Sequence, residues 1–354
     1  MRRLWALTNA LRRGTAADGL PYKLTLILNG NCPTRCTFCN IWQTPSPDEL
    51  TPAEWDRIFE TARHTVWANL SGGEIFQRRD LPEILDAMTA RMPDLYLVDF
   101  PTTGYFPNEM IDACRRLVDR GVRRVLVTVS LDGPPDLHDR LRGREGAHEK
   151  ACEALRRLRA AALPRVRAFF GMTLLPQNSD QVDETVAAAR ARVPGLRARD
   201  VHFNVGMQSG HYYRNLDYDA RPPARVLDVL KRQRGAIWDP VSFLERAYLK
   251  RVPQFLETGR SPVPCTALRA SVFVDAQGTV YPCSIYSRPL GSLRETDYDL
   301  GAVLSGAEAK SARASVVADT CPGCWTPCEA YQSLFGHYAR PLQNGKAHGK
   351  TSVA

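Results

Sequence analysis

No apolar run in the 354 residues approaches the ~20 consecutive residues that a membrane-spanning helix needs, so no integral membrane segment is expected. The start, Met1 to Arg13, is a poor signal peptide. Its apolar core is short, Thr8 and Asn9 break it, and no plausible cleavage site precedes the first strand-like run. It reads better as a basic amphipathic helix packed on the base of the fold, with contact to a membrane surface as the lesser alternative. Acidic residues are outnumbered 38 to 47 by basic ones, leaving a net charge of +9. That surplus could favour an anionic substrate or electron donor, although scattered arginine is more often solvated surface. A basic run interleaved with aromatics is missing, so nucleic acid is not an expected partner. The chain is too long and too ordinary in composition for a small disulfide-built secreted domain. Its ten cysteines, grouped in motifs, instead point to a reducing, cytoplasmic compartment and metal clusters.

What is present is organised around Asn31-Cys32-Pro33-Thr34-Arg35-Cys36-Thr37-Phe38-Cys39-Asn40. Cys32, Cys36 and Cys39 follow the spacing CxxxCxxC on one short loop after a strand-like run. Thiolates are the usual ligands of 4Fe–4S clusters, and three of them hold three irons. The fourth iron is then open to a small molecule. The alternative is zinc, which usually takes four ligands from paired CxxC or Cys/His units. No fourth ligand lies near this loop in the sequence.

Strand-like segments at 23–28, 66–71, 95–100, 124–131, 166–174 and 201–206 alternate with helix-like ones at 51–63, 80–91, 107–120, 147–161 and 180–193. Thr51-Pro52-Ala53-Glu54 combines an N-cap, a first-turn proline and a capping-box glutamate. Six such units imply a parallel sheet with helical crossovers and a site at the carboxyl ends of the strands. Along the strands, Lys23, Thr25, Trp67, Asn69, Ser71, Thr128, Ser130, His202 and Asn204 alternate with aliphatic residues. Side chains alternate faces along a strand. A polar interior follows, and with it an incompletely closed barrel holding a ligand cavity. The run 166–174 does not show the pattern.

The cysteine loop, with Phe38 just before its last thiol, resembles the radical S-adenosylmethionine (SAM) superfamily. In that family the open iron chelates the amino and carboxylate groups of SAM. Ser71-Gly72-Gly73-Glu74 looks like its GGE motif, which implies that Gly72, Gly73 and Glu74 meet the SAM amino group. Thr102-Thr103-Gly104 stands where many relatives have Thr-Asn-Gly, so Thr103 is a departure. Ser130-Leu131-Asp132-Gly133, with His138-Asp139 and Arg142-Gly143, is similar to the SxDGxxxxHDxxRG pattern. By that resemblance Ser130 and Arg142 contact the SAM carboxylate, a bidentate pairing suited to a guanidinium. A capping or loop hydrogen bond is the favoured role for His138 and Asp139. Leu174 would be an adenine contact, and Asn204 would reach ribose or substrate.

Residues 211–258 form a helical bridge in which Pro222-Pro223 would open one helix and Pro253 would end the other. Beyond it, Cys265 precedes a hairpin, 271–283, with a turn at Asp275-Ala276-Gln277-Gly278 and Cys283 at its end. Cys321, Cys324 and Cys328 follow. This arrangement resembles the SPASM and twitch auxiliary-cluster domains. Full SPASM domains have seven cysteines; the five here imply one auxiliary 4Fe–4S cluster. Cys265, Cys283, Cys321 and Cys324 match the twitch pattern, and Cys328 could replace one of them. A zinc knob is the alternative.

The expected fold is therefore α/β, a partial (β/α)6 TIM-like barrel followed by a small α+β domain with a β-hairpin. Its divisions are an extension at 1–21, the barrel at 22–210, the bridge at 211–258, the auxiliary domain at 259–336 and a disordered tail at 337–354. The resemblance implies that a flavodoxin or ferredoxin reduces the first cluster, SAM is cleaved to a 5′-deoxyadenosyl radical, and that radical takes hydrogen from a substrate. A small-molecule substrate is the main expectation, with the auxiliary cluster oxidising it or relaying electrons. A SPASM-type maturase acting on a ribosomal precursor peptide is the alternative, weakened because the residues before Lys23 are too few for a leader-binding domain. A non-catalytic metal scaffold is the third reading, and it would not need the Glu74, Ser130 and Arg142 constellation.

Overall fold

The computed structural model describes residues 1–43, 48–223, 226 and 240–344. Helix α1 (Arg2–Arg13) precedes β1 (Lys23–Ile27), α2 (Pro52–Thr61), β2 (Trp67–Ser71), α3 (Leu81–Arg91), β3 (Leu97–Thr102), α4 (Pro107–Asp119) and β4 (Arg124–Ser130). Next come α5 (Pro135–Arg142), α6 (Ala147–Ala160), β5 (Val166–Leu174), α7 (Val182–Arg192) and β6 (Val201–Val205). The last third holds α8 (Pro240–Leu249), α9 (Val252–Thr258), β7 (Ser271–Val274), β8 (Thr279–Tyr281), β9 (Gly291–Ser292), α10 (Leu300–Ser305), α11 (Ala307–Val317) and α12 (Pro327–Asn344). Among the described residues no helix is long and apolar enough to cross a membrane.

The six parallel strands run in the order β6-β5-β4-β3-β2-β1, making a partial barrel open between β6 and β1. Their register fixes the interior. Thr25 lies beside Asn69, Asn69 beside Asp99, and Thr173 beside Asn204. The alternating residues Leu24, Leu26, Ala68, Leu70, Val98, Val125, Val127 and Val129 are fully buried in the main core under the helices. Burying each larger aliphatic side chain stabilises the fold by roughly 1.5–3 kcal/mol. In β5 the interior positions are Phe169, Gly171 and Thr173, by their pairing with Thr128, Ser130 and Asn204. A phenyl ring and a glycine hide the alternation there.

The auxiliary hairpin does not stand apart from this sheet. β7 pairs in parallel with β1, setting Lys23 beside Ser271 and Thr25 beside Phe273, and β8 and β9 extend the sheet antiparallel. The opposite edge, β6, is finished by α8. Glu245 Oε1 accepts from Phe203 N (3.0 Å) and Tyr248 Oη from Val205 N (3.1 Å). Both amides are buried, and leaving one unpaired costs about 1–3 kcal/mol.

The helix expected to open at Pro222-Pro223 lies outside the described residues. Two other expectations change. Pro253 opens α9 instead of ending a helix, since a missing N–H is harmless in a first turn. The tail expected from 337 is helical as far as Asn344, because Tyr331 and Phe335 anchor α12 on the apolar face of α1. That same face, Ala6, Leu7, Ala10 and Leu11, covers the base of the barrel beside Tyr22 and Trp67.

The capping box is present: Thr51 Oγ1 accepts from Glu54 N and Glu54 Oε2 from Thr51 N. Glu54 also joins the barrel to the last third, since Arg294 Nε (2.8 Å) and Tyr298 Oη (2.9 Å) donate to its Oε1. The Arg294 bond, with those of Thr51 and Tyr298, holds the Glu54 carboxyl down to about 2. A depressed carboxylate stabilises the fold above its unfolded value of about 4.3, and that share is lost as pH falls toward about 2. Glu54→Gln is expected to cost on the order of 1 kcal/mol at neutral pH and to flatten the acid limb of stability between those values, read by denaturant melts across pH.

Candidate functional site

The cysteine loop sits over the carboxyl end of β1 and is strapped to a neighbouring unit. Arg35 N donates to Arg142 O and Thr37 N to Leu141 O, each at 2.9 Å. These are the last carbonyls of α5, which a helix leaves unsatisfied. Gly143 ends α5 at φ +60°, and a Cβ there would lie 2.2 Å from Arg35 O, so only glycine admits the strap. Arg144 donates to Pro33 O at 2.6 Å, and Asn215 Nδ2 to Phe38 O at 2.8 Å. Cys36 is buried, while Cys32 and Cys39 are partly so. Thr34 Oγ1 stands between the first two thiols, at 3.2 and 3.3 Å. Burial, and then Cys36, push the Cys39 thiol up to about 12.

Beneath the loop, Gly73 packs so closely that a Cβ would meet Asn31 O at 2.1 Å. Glu74 is buried. Its Oε2 accepts from Thr102 Oγ1 (2.9 Å), Thr103 N (2.7 Å) and Thr103 Oγ1 (2.6 Å). Thr103, the departure from the motif, is thus a double donor to Glu74. Among the described residues, Glu74 Oε1 and Asn29 Oδ1 are buried acceptors without a well-formed hydrogen bond. Burial raises the Glu74 carboxyl, the Thr103 bonds working against it.

Arg142 does not stand free as the motif suggests. Its Nε bonds Asp132 Oδ2 at 2.6 Å and its Nη2 bonds the same oxygen at 2.5 Å, while Nη1 faces Cys36 Sγ at 3.8 Å. Asp132 is fully buried and needs that countercharge. Ser130 lies at the end of β4 in register with Gly171. His138 Nδ1 accepts from Asp132 N, and Asp139 accepts from Gly146 N and His148 N at the start of α6, both in the loop roles expected. Leu174 is a correction: it is fully buried in the helix-facing core. One position along, Leu175 reaches the other face and packs with Leu137, Leu141, Phe38 and Tyr218. Asn204 Oδ1 is buried and unpartnered.

Sequence reasoning missed Asn178. Its Nδ2 donates to Asp132 O and Thr173 O and its Oδ1 accepts from Leu175 N, all at 2.8 Å, pinning the fourth and fifth units together. Nothing in Pro176-Gln177-Asn178-Ser179 signals this.

The second thiol group lies across β7. Cys265, Cys283 and Cys324 share an apolar patch with Ala267, Ile285 and Val316. Cys321 acts on Cys265, and Cys265 and Cys283 act on Cys324. Backbone amides of Ala267 and Tyr286 point at Cys265 Sγ (3.5 Å) and Cys283 Sγ (3.3 Å). After burial, the Cys328 thiol feels Lys23, Glu329 and Asp99, whereas Cys324 feels Cys283 and Cys265. Between the two groups runs His211-Tyr212-Tyr213. Tyr212 and Cys39 border one buried cluster, Tyr213 borders the patch that holds Cys283, and the two rings are 4.5 Å apart.

The model for the radical SAM superfamily matches residues 26–189, and that for the SPASM iron–sulfur cluster-binding domain matches 265–325, together more than half of the chain. The chain is a radical SAM protein with a SPASM domain. It is 25% identical over 286 residues to the sporulation killing factor maturation protein SkfB of Bacillus subtilis, covering 80% of this chain and 65% of that protein. It is 27% identical over 190 residues to the PqqA peptide cyclase of Rhizobium meliloti, covering 52% of this chain and 48% of the cyclase. The chain therefore spans about half to two-thirds of the length of these relatives. The same fold occurs in anSMEcpe with bound SAM and a peptide (TM-score 0.56, 15% identity, 93% of this chain and 100% of that one). It also occurs in Streptococcus suis SuiB bound to SAM (TM-score 0.55, 13% identity, 91% and 76%).

The cofactors of this radical SAM protein are a SAM-binding 4Fe–4S cluster, an auxiliary iron–sulfur cluster and SAM. The donor sets fit them. Cys32, Cys36 and Cys39 share one loop, and Cys265, Cys283 and Cys324 one patch, which suits clusters whose irons each take a thiolate. The orphan acceptors Glu74 Oε1 and Asn29 Oδ1 suit the ammonium end of SAM. Cys328→Ala is expected to leave about eight irons per chain after anaerobic reconstitution, while Cys324→Ala drops the count to about four. Equal losses in the two variants would return Cys328 to the ligand set.

Proposed function

We propose that this radical SAM protein matures a ribosomally made precursor peptide, not the small molecule expected first from the sequence. One observation carries the reading: the relative aligned over four-fifths of the chain is by name a maturation protein for a sporulation killing factor, and another is a peptide cyclase. The geometry supports it. A solvent-open cleft of about 600 Å³ reaches the cysteine loop between Cys32, Trp42, Phe76 and Phe106, wide enough for a side chain carried on a peptide.

When bound, the first cluster and SAM supply one-electron cleavage of the sulfonium and the hydrogen-abstracting chemistry that follows. The chain's own groups hold and shield that chemistry. Glu74 Oε1 accepts from the amino group of SAM. Arg142 Nη1, the corner of the guanidinium left over by Asp132, meets its carboxylate with Ser130 nearby. Phe38, with Leu175 and Tyr218, offers the adenine an apolar wall. Asn204 Oδ1 accepts from a ribose or substrate hydroxyl. Below, α1 and α12 close the barrel floor against water, which protects a radical from side reactions. A flavodoxin- or ferredoxin-class protein supplies the electron.

The test is anaerobic incubation of the reconstituted protein with dithionite, SAM and the peptide encoded beside its gene. Release of 5′-deoxyadenosine with a mass change confined to the peptide is the expected result; turnover with an unchanged peptide would refute the assignment. Cys36→Ala should abolish deoxyadenosine release. Glu74→Gln should weaken SAM binding about tenfold or more, since a hydrogen bond to a charged group is worth about 1.5–3 kcal/mol; unaltered affinity by equilibrium dialysis would overturn the role of Glu74.

A further inference from the structure

Helix α1 has two apolar faces, and among the described residues only one is packed. Ala6, Leu7, Ala10 and Leu11 pack on the barrel base. On the opposite side Met1, Leu4, Trp5 and Thr8 fall at the i, i+3, i+4, i+7 spacing of one helical stripe. Leu4 is 53% and Trp5 66% exposed.

The stripe sits among guanidiniums. Arg3 donates to Pro93 O and to Arg120 O, which places the first turn of α1 beside the loops that enter β3 and β4. Arg123, Arg124 and Arg165 are exposed at that end of the barrel and make no ion pair among the described residues. Asp94 is the local carboxylate, and it is shared by Arg2 and His64. The crowding is felt: burial lowers the pKa of Arg3, and Arg123, Arg2 and Arg165 lower it further, while Asp94 works the other way. Unneutralised positive charge surrounding a protruding Trp-Leu edge complements an anionic interface with an apolar interior. Phospholipid supplies both, with tryptophan at the headgroup level and arginine against the phosphates. A free acidic peptide supplies the charge without a place for the indole.

We propose that the α1 end of the barrel docks on anionic lipid surfaces through Leu4, Trp5 and the Arg123/Arg165 pair, holding the catalytic mouth away from the bilayer. Neither signal suffices alone: a few inserted apolar side chains bind weakly, and a basic patch without them is displaced by salt. The contact is reversible and lies at the opposite end of the strands from the cysteine loop, so it is independent of the reading of the substrate.

The full chain is sedimented with vesicles of phosphatidylglycerol or of phosphatidylcholine at low salt. Binding to the first and not the second, with a blue shift of Trp5 emission, is expected. The double variant Leu4→Ser/Trp5→Ser and the double variant Arg123→Glu/Arg165→Glu should each lose about tenfold in vesicle affinity while keeping the parent's melting temperature and iron content. Failure of the parent protein to bind phosphatidylglycerol, or binding by either variant as tight as the parent's, would overturn the proposal. So would capture by poly-glutamate in place of vesicles, or a dimer by light scattering that Leu4→Ser/Trp5→Ser converts to monomer.

Discussion

The six parallel strands of the barrel do not close on themselves, and each of their two edges carries backbone groups that need partners. This chain solves the two edges differently. β7 joins β1 as a further parallel strand, so the hairpin that carries Cys283 becomes part of the barrel wall. At β6 the partners are side chains, Glu245 and Tyr248, one helical turn apart on α8 and matched to amides two residues apart on the strand. Tyr248 then passes its own hydrogen to Trp325 O, in the segment between Cys324 and Cys328. Each edge solution thus brings a piece of the auxiliary region against the barrel, and the two thiol groups come to face each other across Tyr212 and Tyr213.

The site itself is a place where the protein stops short of satisfying its own groups. Glu74 Oε2 has three donors and Oε1 has no well-formed one among the described residues; Arg142 spends two of its nitrogens on Asp132 and aims the third at a thiol. Buried acceptors without partners are costly, and here they sit on rigid strand ends under the cysteine loop. That is the pattern expected of a cradle whose last hydrogen bonds come from a ligand.

Much of this was legible in the sequence, for identifiable reasons. The six strands fell at their expected places within a few residues because their aliphatic positions repeat every second residue, and the polar interior followed from the same parity. The motif residues were legible because thiol spacing and glycine have no cheaper explanation. What was not legible depended on partners distant in the chain. Leu174 and Leu175 look alike in sequence, and only the pairing of Leu174 with Val205 decides which faces the helices. Cys328 stands four residues after Cys324 in the first turn of α12, and the charged groups that act on it, Lys23 and Asp99, come from distant strands. Asn178 carries no motif at all. The substrate, too, was first sought among small molecules, because the barrel lining has no pattern that names a chemical class.

The strap between the cysteine loop and α5 has a consequence for biogenesis. Thr37 and its partner Leu141 are 104 positions apart, so the loop emerges from the ribosome long before the carbonyls that hold it. Until the fourth unit has been made and has docked, the three thiols hang on an unanchored segment. The three thiols are therefore held in place only once the first four units have come together.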